Sequence, residues 1–260
     1  MTRPFCDLDS KTLSAVRIIA VDVDDTLTVR GRLTPVVVAA LDDLASRGIE
    51  VILATGRPAG MVTALVTFLP GVRRGIAENG GVVVRPTPAA PQPMSDEVEP
   101  LRRRQQACRA EVEARLPHVR VTADLYTRLV DLTFENSTIR PGDRQVIDEI
   151  AAALRLTTLA SSIHLHVCAP GLDKGSTLEA LLRDDPGDVA PHEVLTLGDS
   201  DLDGPLFDPA RFPLSVGVAN VRSCLGSLQH RPAWVTEAEA GNGFLEVAGA
   251  LLAARPITPR

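Results

Sequence analysis

Apolar runs and helical spacings alternate at both ends of the chain. Residues 17–21 form a short β-branched run that reads as a buried strand ending at Asp22. Residues 34–47 carry apolar side chains at helical spacing and stop at Gly48, a residue suited to the left-handed turn after a helix. A second apolar strand is predicted over 50–54, ending at Thr55-Gly56, and a helix over 59–69, closed by Pro70-Gly71. The same grammar returns late in the sequence. A helix is predicted over 176–183, a strand over 193–197 ending at Gly198-Asp199, a strand over 214–218 and a helix over 245–254. Strands alternating with helices predict an α/β fold, a Rossmann-like parallel sheet with helices on its faces.

The middle of the chain reads differently. A proline-rich stretch begins at Pro86 and looks like a linker. Beyond it the pattern predicts a helix over 101–116, strands over 119–122 and 128–134, a helix after Pro141 to 154, and strands over 157–160 and 163–168. That α-β-β-α-β-β order suggests a small α+β cap domain inserted into the core. The expected division is core 1–84, cap 85–169 and core 170–260.

Composition narrows the function. At 45% hydrophobic and 23% charged residues, the 260-residue chain has enough apolar material for a real core, which excludes disorder along its length. A net charge of −6 argues against a protein built to grip nucleic acid. No apolar run approaches a membrane span, and the N-terminus reaches Asp7 before any apolar stretch, so no signal peptide, no membrane partner and a cytoplasmic location are expected. Cys6, Cys108, Cys168 and Cys224 lie far apart and predict neither a zinc site nor a disulfide framework. Only two of the 27 basic residues, Lys11 and Lys174, are lysine. In so Arg-rich a chain, a retained Lys points to a need for a compact ammonium.

The candidate chemistry lies at the strand ends, where open α/β sheets bind ligands. The first strand opens into Asp22-Val23-Asp24-Asp25-Thr26, whose first and third residues can face one pocket. The second ends at the hydroxyl of Thr55. A later strand gives Asp199 and, four residues on, Asp203. Converging carboxylates repel unless a hard cation neutralises them, and oxygen ligands favour Mg²⁺. Lys174 and Thr55 beside such a cluster supply the charge and donors that a phosphoryl group needs.

Four ordered motifs carry a resemblance. Asp22-Val23-Asp24-Asp25-Thr26-Leu27, Thr55-Gly56-Arg57, Asp173-Lys174-Gly175 and Gly198-Asp199-Ser200-Asp201-Leu202-Asp203 resemble those of the haloacid dehalogenase superfamily, in particular its small-molecule phosphatases with a cap between the second and third motifs. The cap's place and element order look like those of archaeal-type phosphoglycolate phosphatases and the related sucrose-phosphate and mannosyl-phosphoglycerate phosphatases. The resemblance implies that Asp22 attacks phosphorus and that Asp24 serves as acid and then base. It assigns Mg²⁺ to the Asp22 carboxylate, the Asp24 carbonyl and Asp199, with Asp203 as ligand or support. Thr55, Gly56 and Lys174 would bind phosphate, and Arg57 and Asn79 would lie close to substrate. The implied reaction is Mg²⁺-dependent hydrolysis of a small phosphorylated metabolite through an aspartyl phosphate.

Two positions depart from the pattern. Leu202 stands where Asn is common, which puts one phosphate contact in doubt but removes neither carboxylate, and Asp25 stands where Gly is frequent. Leu202 is also the one sequence hint of a weakened, regulatory relative, and a phosphomutase on the same scaffold is a further alternative. Elsewhere the plainer readings lead. Glu78-Asn79-Gly80 is first a turn signal, and Arg102-Arg103-Arg104 a solvated helix face. His164 and His166 share one face of a cap strand, which suits packing or substrate contact better than a metal. A homodimer is left open.

Overall fold

A computed structural model describes residues 2–161, 163–184 and 187–255. The strands in chain order are β1 (Arg3–Pro4), β2 (Ile18–Val21), β3 (Glu50–Ala54), β4 (Val72–Ala77), β5 (Val82–Val84), β6 (Gln92–Pro93), β7 (Leu132–Glu135), β8 (Thr157–Ala160), β9 (His164–Cys168), β10 (Val194–Gly198), β11 (Leu214–Gly217) and β12 (Trp234–Val235). The α-helices are α1 (Ser10–Ala15), α2 (Pro35–Ser46), α3 (Ala59–Phe68), α4 (Val98–Arg115), α5 (Asp143–Ala153), α6 (Lys174–Arg183) and α7 (Ala240–Ala254).

Nine strands form one sheet in the order β1-β12-β11-β10-β2-β3-β4-β5-β6. Neighbours from β1 to β4 run parallel, and β5 and β6 add an antiparallel edge. All four residues of β2 are buried, as expected of a parallel strand covered on both faces. Alternation sorts their side chains. Ile19, Val21, Val51 and Leu53 join the core under α2, α3 and α7, while Ile18, Ala20, Ile52 and Ala54 pack on the opposite face with Leu178 and Leu181 of α6. Thr34 caps α2 by accepting the Val37 N–H, and Pro35 occupies its first turn. Val37, Leu41 and Leu44 then form its buried stripe, each side chain contributing about 1.5–3 kcal/mol by leaving water.

A second, antiparallel sheet has the order β7-β9-β8. Leu101, Cys108 and Val112 of α4 and Ile147 and Ile150 of α5 bury apolar stripes in its core. The large sheet continues through β6, so the chain leaves it after Pro93 rather than at Arg85.

Two expected strands differ. The strand over 119–122 is reduced to one bridge, Val121 to Phe134, and the strand over 128–134 begins only at Leu132. The cause is long-range. The N–H groups of Leu129 and Val130 donate to the carboxylate of Glu78, at 2.9 and 2.8 Å, and so are withdrawn from any ladder.

Candidate active site

Three adjacent central strands, β10, β2 and β3, release their chains at one edge of the large sheet, and each release point carries a predicted residue. Asp22 follows β2, and its N–H still donates to the Leu197 carbonyl at 2.9 Å. Thr55 follows β3 and donates its N–H to Ile76 at 2.8 Å. Asp199 follows β10. Backbone pairing therefore fixes where all three side chains begin.

Lys174 arrives from the opposite side as the first residue of α6. Asp173 and Ser176 close a capping box around that helix start, with Ser176 N–H to Asp173 Oδ1 at 2.7 Å. Gly175 lets the helix press against the turn carrying Asp203, since a Cβ there would collide with the Pro205 carbonyl. The result is a buried ammonium held between two carboxylates, Lys174 Nζ to Asp22 Oδ1 at 2.8 Å and to Asp203 Oδ1 at 2.7 Å. Burial alone would lower the Lys174 pKa, but Asp203 and Asp22 outweigh it and raise it. The ammonium stays charged.

Asp203 is fully buried and already saturated. Its second oxygen accepts the N–H groups of Asp199 and Ser200, both at 3.0 Å, and the Ser200 hydroxyl at 2.9 Å. It shapes the loop and holds Lys174. Asp199 is held by Thr26, whose hydroxyl donates at 2.7 Å, and by the Asn220 amide at 3.0 Å. One carboxylate oxygen from each of Asp22, Asp199 and Asp203 lies within 4.8 Å of the others. One ammonium does not balance three such groups. Burial, reinforced by neighbouring carboxylates, raises Asp22 well above the ordinary carboxylate range, and burial and Asp203 push Asp199 up to about 7. An all-oxygen cluster short of positive charge fits a hard divalent cation.

Asp24 does not join this cluster. Its carboxylate is gripped by Arg57, Nε to Oδ2 at 2.8 Å and Nη2 to Oδ1 at 2.7 Å. Asp25 has φ 56°, the left-handed region, which explains why glycine would suit this position and why a short polar side chain also serves.

Asp22, Asp24, Thr55, Gly56, Arg57, Asn79, Lys174 and Asp199 line one cavity of about 60 Å³. Of the predicted set, only Asp203 stands behind it. Glu78-Asn79-Gly80 is the turn that its sequence suggested, with Glu78 and Asn79 both at positive φ, and it also reaches the site. Asn79 donates its N–H to the Thr55 carbonyl at 3.1 Å, and both polar atoms of its buried amide lack a partner among the described residues. Thr55 Oγ1 accepts the Arg57 N–H at 3.2 Å, so it too is turn residue and lining at once.

Sequence reasoning missed Asn220, whose amide orients Asp199 from the turn that follows β11, and the cavity contributions of Ser161 and Ile163. His164 and His166 also line the cavity. Asp173 caps a helix and Asp201 accepts the Ser227 hydroxyl at 2.7 Å, both outside the cavity. Arg102 and Arg103 lie on an exposed helix face; Arg104 donates to the Arg155 carbonyl at 3.2 Å.

Comparisons with known proteins bear on the family and the fold. Residues 19–97 match the haloacid dehalogenase-like hydrolase family. The chain is 33% identical over 232 residues to a phosphoglycolate phosphatase of Haloarcula marismortui, covering 87% of this chain and 93% of the relative. A phosphoglycolate phosphatase of Methanoculleus marisnigri is 27% identical over 238 residues, 89% of this chain and 94% of the relative. Among solved structures, a Thermoplasma acidophilum protein superposes with a TM-score of 0.75 at 21% identity, over 91% of this chain and 98% of its own. The sucrose-phosphatase of Synechocystis does so with a TM-score of 0.64 at 15% identity, over 90% and 97%, and these two share the fold. With four motifs at one sheet edge and a relative aligned over most of both chains, this protein belongs to the haloacid dehalogenase-like hydrolase family, among its phosphatases.

Proposed function

We propose that the protein hydrolyses a short phosphorylated acid of the phosphoglycolate kind, through a phosphoryl group carried on Asp22. One observation carries this reading: Lys174 is buried between Asp22 and Asp203 at 2.8 and 2.7 Å, with Asp199 completing an acidic cluster. A carboxylate attacks a phosphate only where positive charge offsets their repulsion, and Lys174 supplies that charge beside the attacking oxygen. Asp22 Oδ1 is engaged by the ammonium, and Oδ2 has no hydrogen-bond partner among the described residues. That free oxygen forms the bond to phosphorus while the leaving alkoxide departs with the electron pair of the broken P–O bond.

Asp24, taking up a proton from solvent as it gives up one Arg57 contact, passes it to the departing oxygen and then takes one from the water that cleaves the aspartyl phosphate. Arg57 holds it ready at the cavity wall. Thr55, the Gly56 loop and the unpartnered amide of Asn79 supply donors for the phosphoryl oxygens, Asn79 taking the place of the amide that Leu202 lacks. Mg²⁺ would be held by Asp22 and Asp199, with the Asp24 carbonyl, and would screen the carboxylates from the phosphate. Asp203 supports both Lys174 and the Asp199 loop.

The segment from about 94 to 169 serves as a cap that closes the site against water during transfer. Cavity size favours a small leaving group. The cavity, about 60 Å³ between the two sheets' residues, supports a short substrate over a bulky one. Phosphate release from a panel of phosphorylated metabolites, with and without Mg²⁺, tests the reading. Mg²⁺-dependent release from short phosphorylated acids is expected, and no release from any phosphomonoester contradicts it.

A further inference from the structure

His166, on β9, is 2% exposed, and its two nitrogens have different surroundings. Nδ1 lies 2.7 Å from Asp131 Oδ2. Nε2 has no hydrogen-bond partner among the described residues, and the residue lines the cavity that holds Asp22 and Lys174. Asp131 Oδ2 also accepts from Arg128 Nη1 at 2.8 Å, and the same Nη1 donates to the Gly56 carbonyl at 2.9 Å. A buried path therefore runs from the phosphate-binding loop, through Arg128 and Asp131, to the cap's imidazole. The Arg128 and Asp131 side chains are each 1% exposed. Packing a strand does not call for a buried ion pair, which carries a heavy desolvation cost, whereas fixing an imidazole does.

The character of the lining points to the ligand. Within the cavity the cap contributes Ser161, Ile163, His164 and His166, and no carboxylate. The Ser161 hydroxyl is already committed, donating to the His164 carbonyl and accepting the His164 N–H. Sugar hydroxyls need acceptors for their hydrogens, and this end of the cavity offers few. A carboxylate needs donors only. Seated at Nε2, it would leave the ring between two carboxylates, an arrangement that only an imidazole carrying N–H on both nitrogens satisfies.

We propose that His166 binds the carboxylate of the substrate's leaving group, and that Asp131 is the positioning residue that aims it. His166 thereby sets a preference for short phosphorylated acids over phosphorylated alcohols of the same size. The inference rests on the phosphatase reading above.

The test is the ratio of kcat/KM for phosphoglycolate to that for 2-hydroxyethyl phosphate, which replaces the carboxylate with an alcohol. His166→Asn keeps a donor near Asp131 but removes Nε2. Wild type should favour phosphoglycolate, and His166→Asn should lower the ratio by about 10-fold or more, the worth of a hydrogen bond to a charged group. Asp131→Ala should lower the ratio too, with Asp131→Asn recovering part of it. A ratio within about threefold of wild type in His166→Asn overturns the proposal, whatever the absolute rates. Should that variant not fold, His166→Gln is read in the same way. A wild type without preference for the acid also overturns it, while a wild type inactive on both esters overturns the phosphatase reading itself.

Discussion

Arg57 closes a two-point grip on Asp24, Nε to Oδ2 at 2.8 Å and Nη2 to Oδ1 at 2.7 Å, across a half-buried wall of the cavity. The fork fixes the carboxylate's plane as well as its position, which a single ammonium could not do. Donating to Asp24, and the charge of that carboxylate, also raise the Arg57 pKa. In the proposed reaction Asp24 must hand a proton to the leaving oxygen, so its orientation matters most when that oxygen is a poor leaving group.

Arg57→Ala should therefore act selectively. Turnover of an alkyl phosphate should fall by about 10-fold or more, while p-nitrophenyl phosphate, whose leaving group needs no proton, should be much less affected. Steady-state kinetics on the two esters measures this, and equal losses would show that Arg57 serves binding and not the acid.

Lys174→Arg preserves charge and should still lower kcat by about 100-fold. The ammonium meets two carboxylates in a site only 3% exposed, and Gly175 holds the helix tight against the Pro205 carbonyl. A planar guanidinium has no room to reproduce both contacts. Wild-type turnover in this variant would contradict the assignment.

Glu78 links the two sheets. Its carboxylate accepts the N–H groups of Ala59 at 3.0 Å, Leu129 at 2.9 Å and Val130 at 2.8 Å, and it is 2% exposed. Burial, and then Asp131, raises its pKa, opposed by those three donors. Glu78→Ala would orphan the buried N–H groups of Ala59 and Val130 at about 1–3 kcal/mol each, and the partly buried one of Leu129. Urea unfolding should show a loss of at least about 2 kcal/mol. No loss would mean that the loop finds other acceptors.

Much of the site was legible because its residues stand where strand geometry puts them. Asp22, Thr55 and Asp199 each end a parallel strand, and an apolar run followed by a polar residue reveals such a position directly. The 128–131 loop was illegible for the opposite reason. Its sequence reads as the start of a strand over 128–134, but the amides of Leu129 and Val130 answer to Glu78, a partner distant in sequence. Asn220 gave no signal, because a lone Asn in a turn region carries no pattern until the fold brings it to Asp199. Glu78-Asn79-Gly80 reads as a turn and is one; the resemblance already put Asn79 close to substrate, and only the unpartnered state of its buried amide needed three dimensions.

Asp199 gives the site a pH dependence. Its carboxyl is pushed up to about 7 by burial and by Asp203, above its ordinary 3.8. A carboxyl raised on folding stabilises the metal-free protein fully below the lower value, and that contribution is lost as pH rises through about 7. Mg²⁺, which requires the deprotonated form, should compensate in the upper range. The Mg²⁺-induced rise in melting temperature should be larger at pH 8 than at pH 6, read by thermal unfolding with chelated controls. An equal or smaller rise at pH 8 would contradict the placement of the cation at Asp199.

The central claim is that the phosphoryl group passes through Asp22. Rapid acid quench with an activated, ³²P-labelled ester, followed by peptide mapping, addresses it directly. Wild type and Asp24→Asn should both carry label on Asp22, the variant more persistently because no base activates water. Asp22→Asn should carry none and show no detectable turnover. Label on Asp24, or on any residue of an Asp22→Asn protein, would contradict the account.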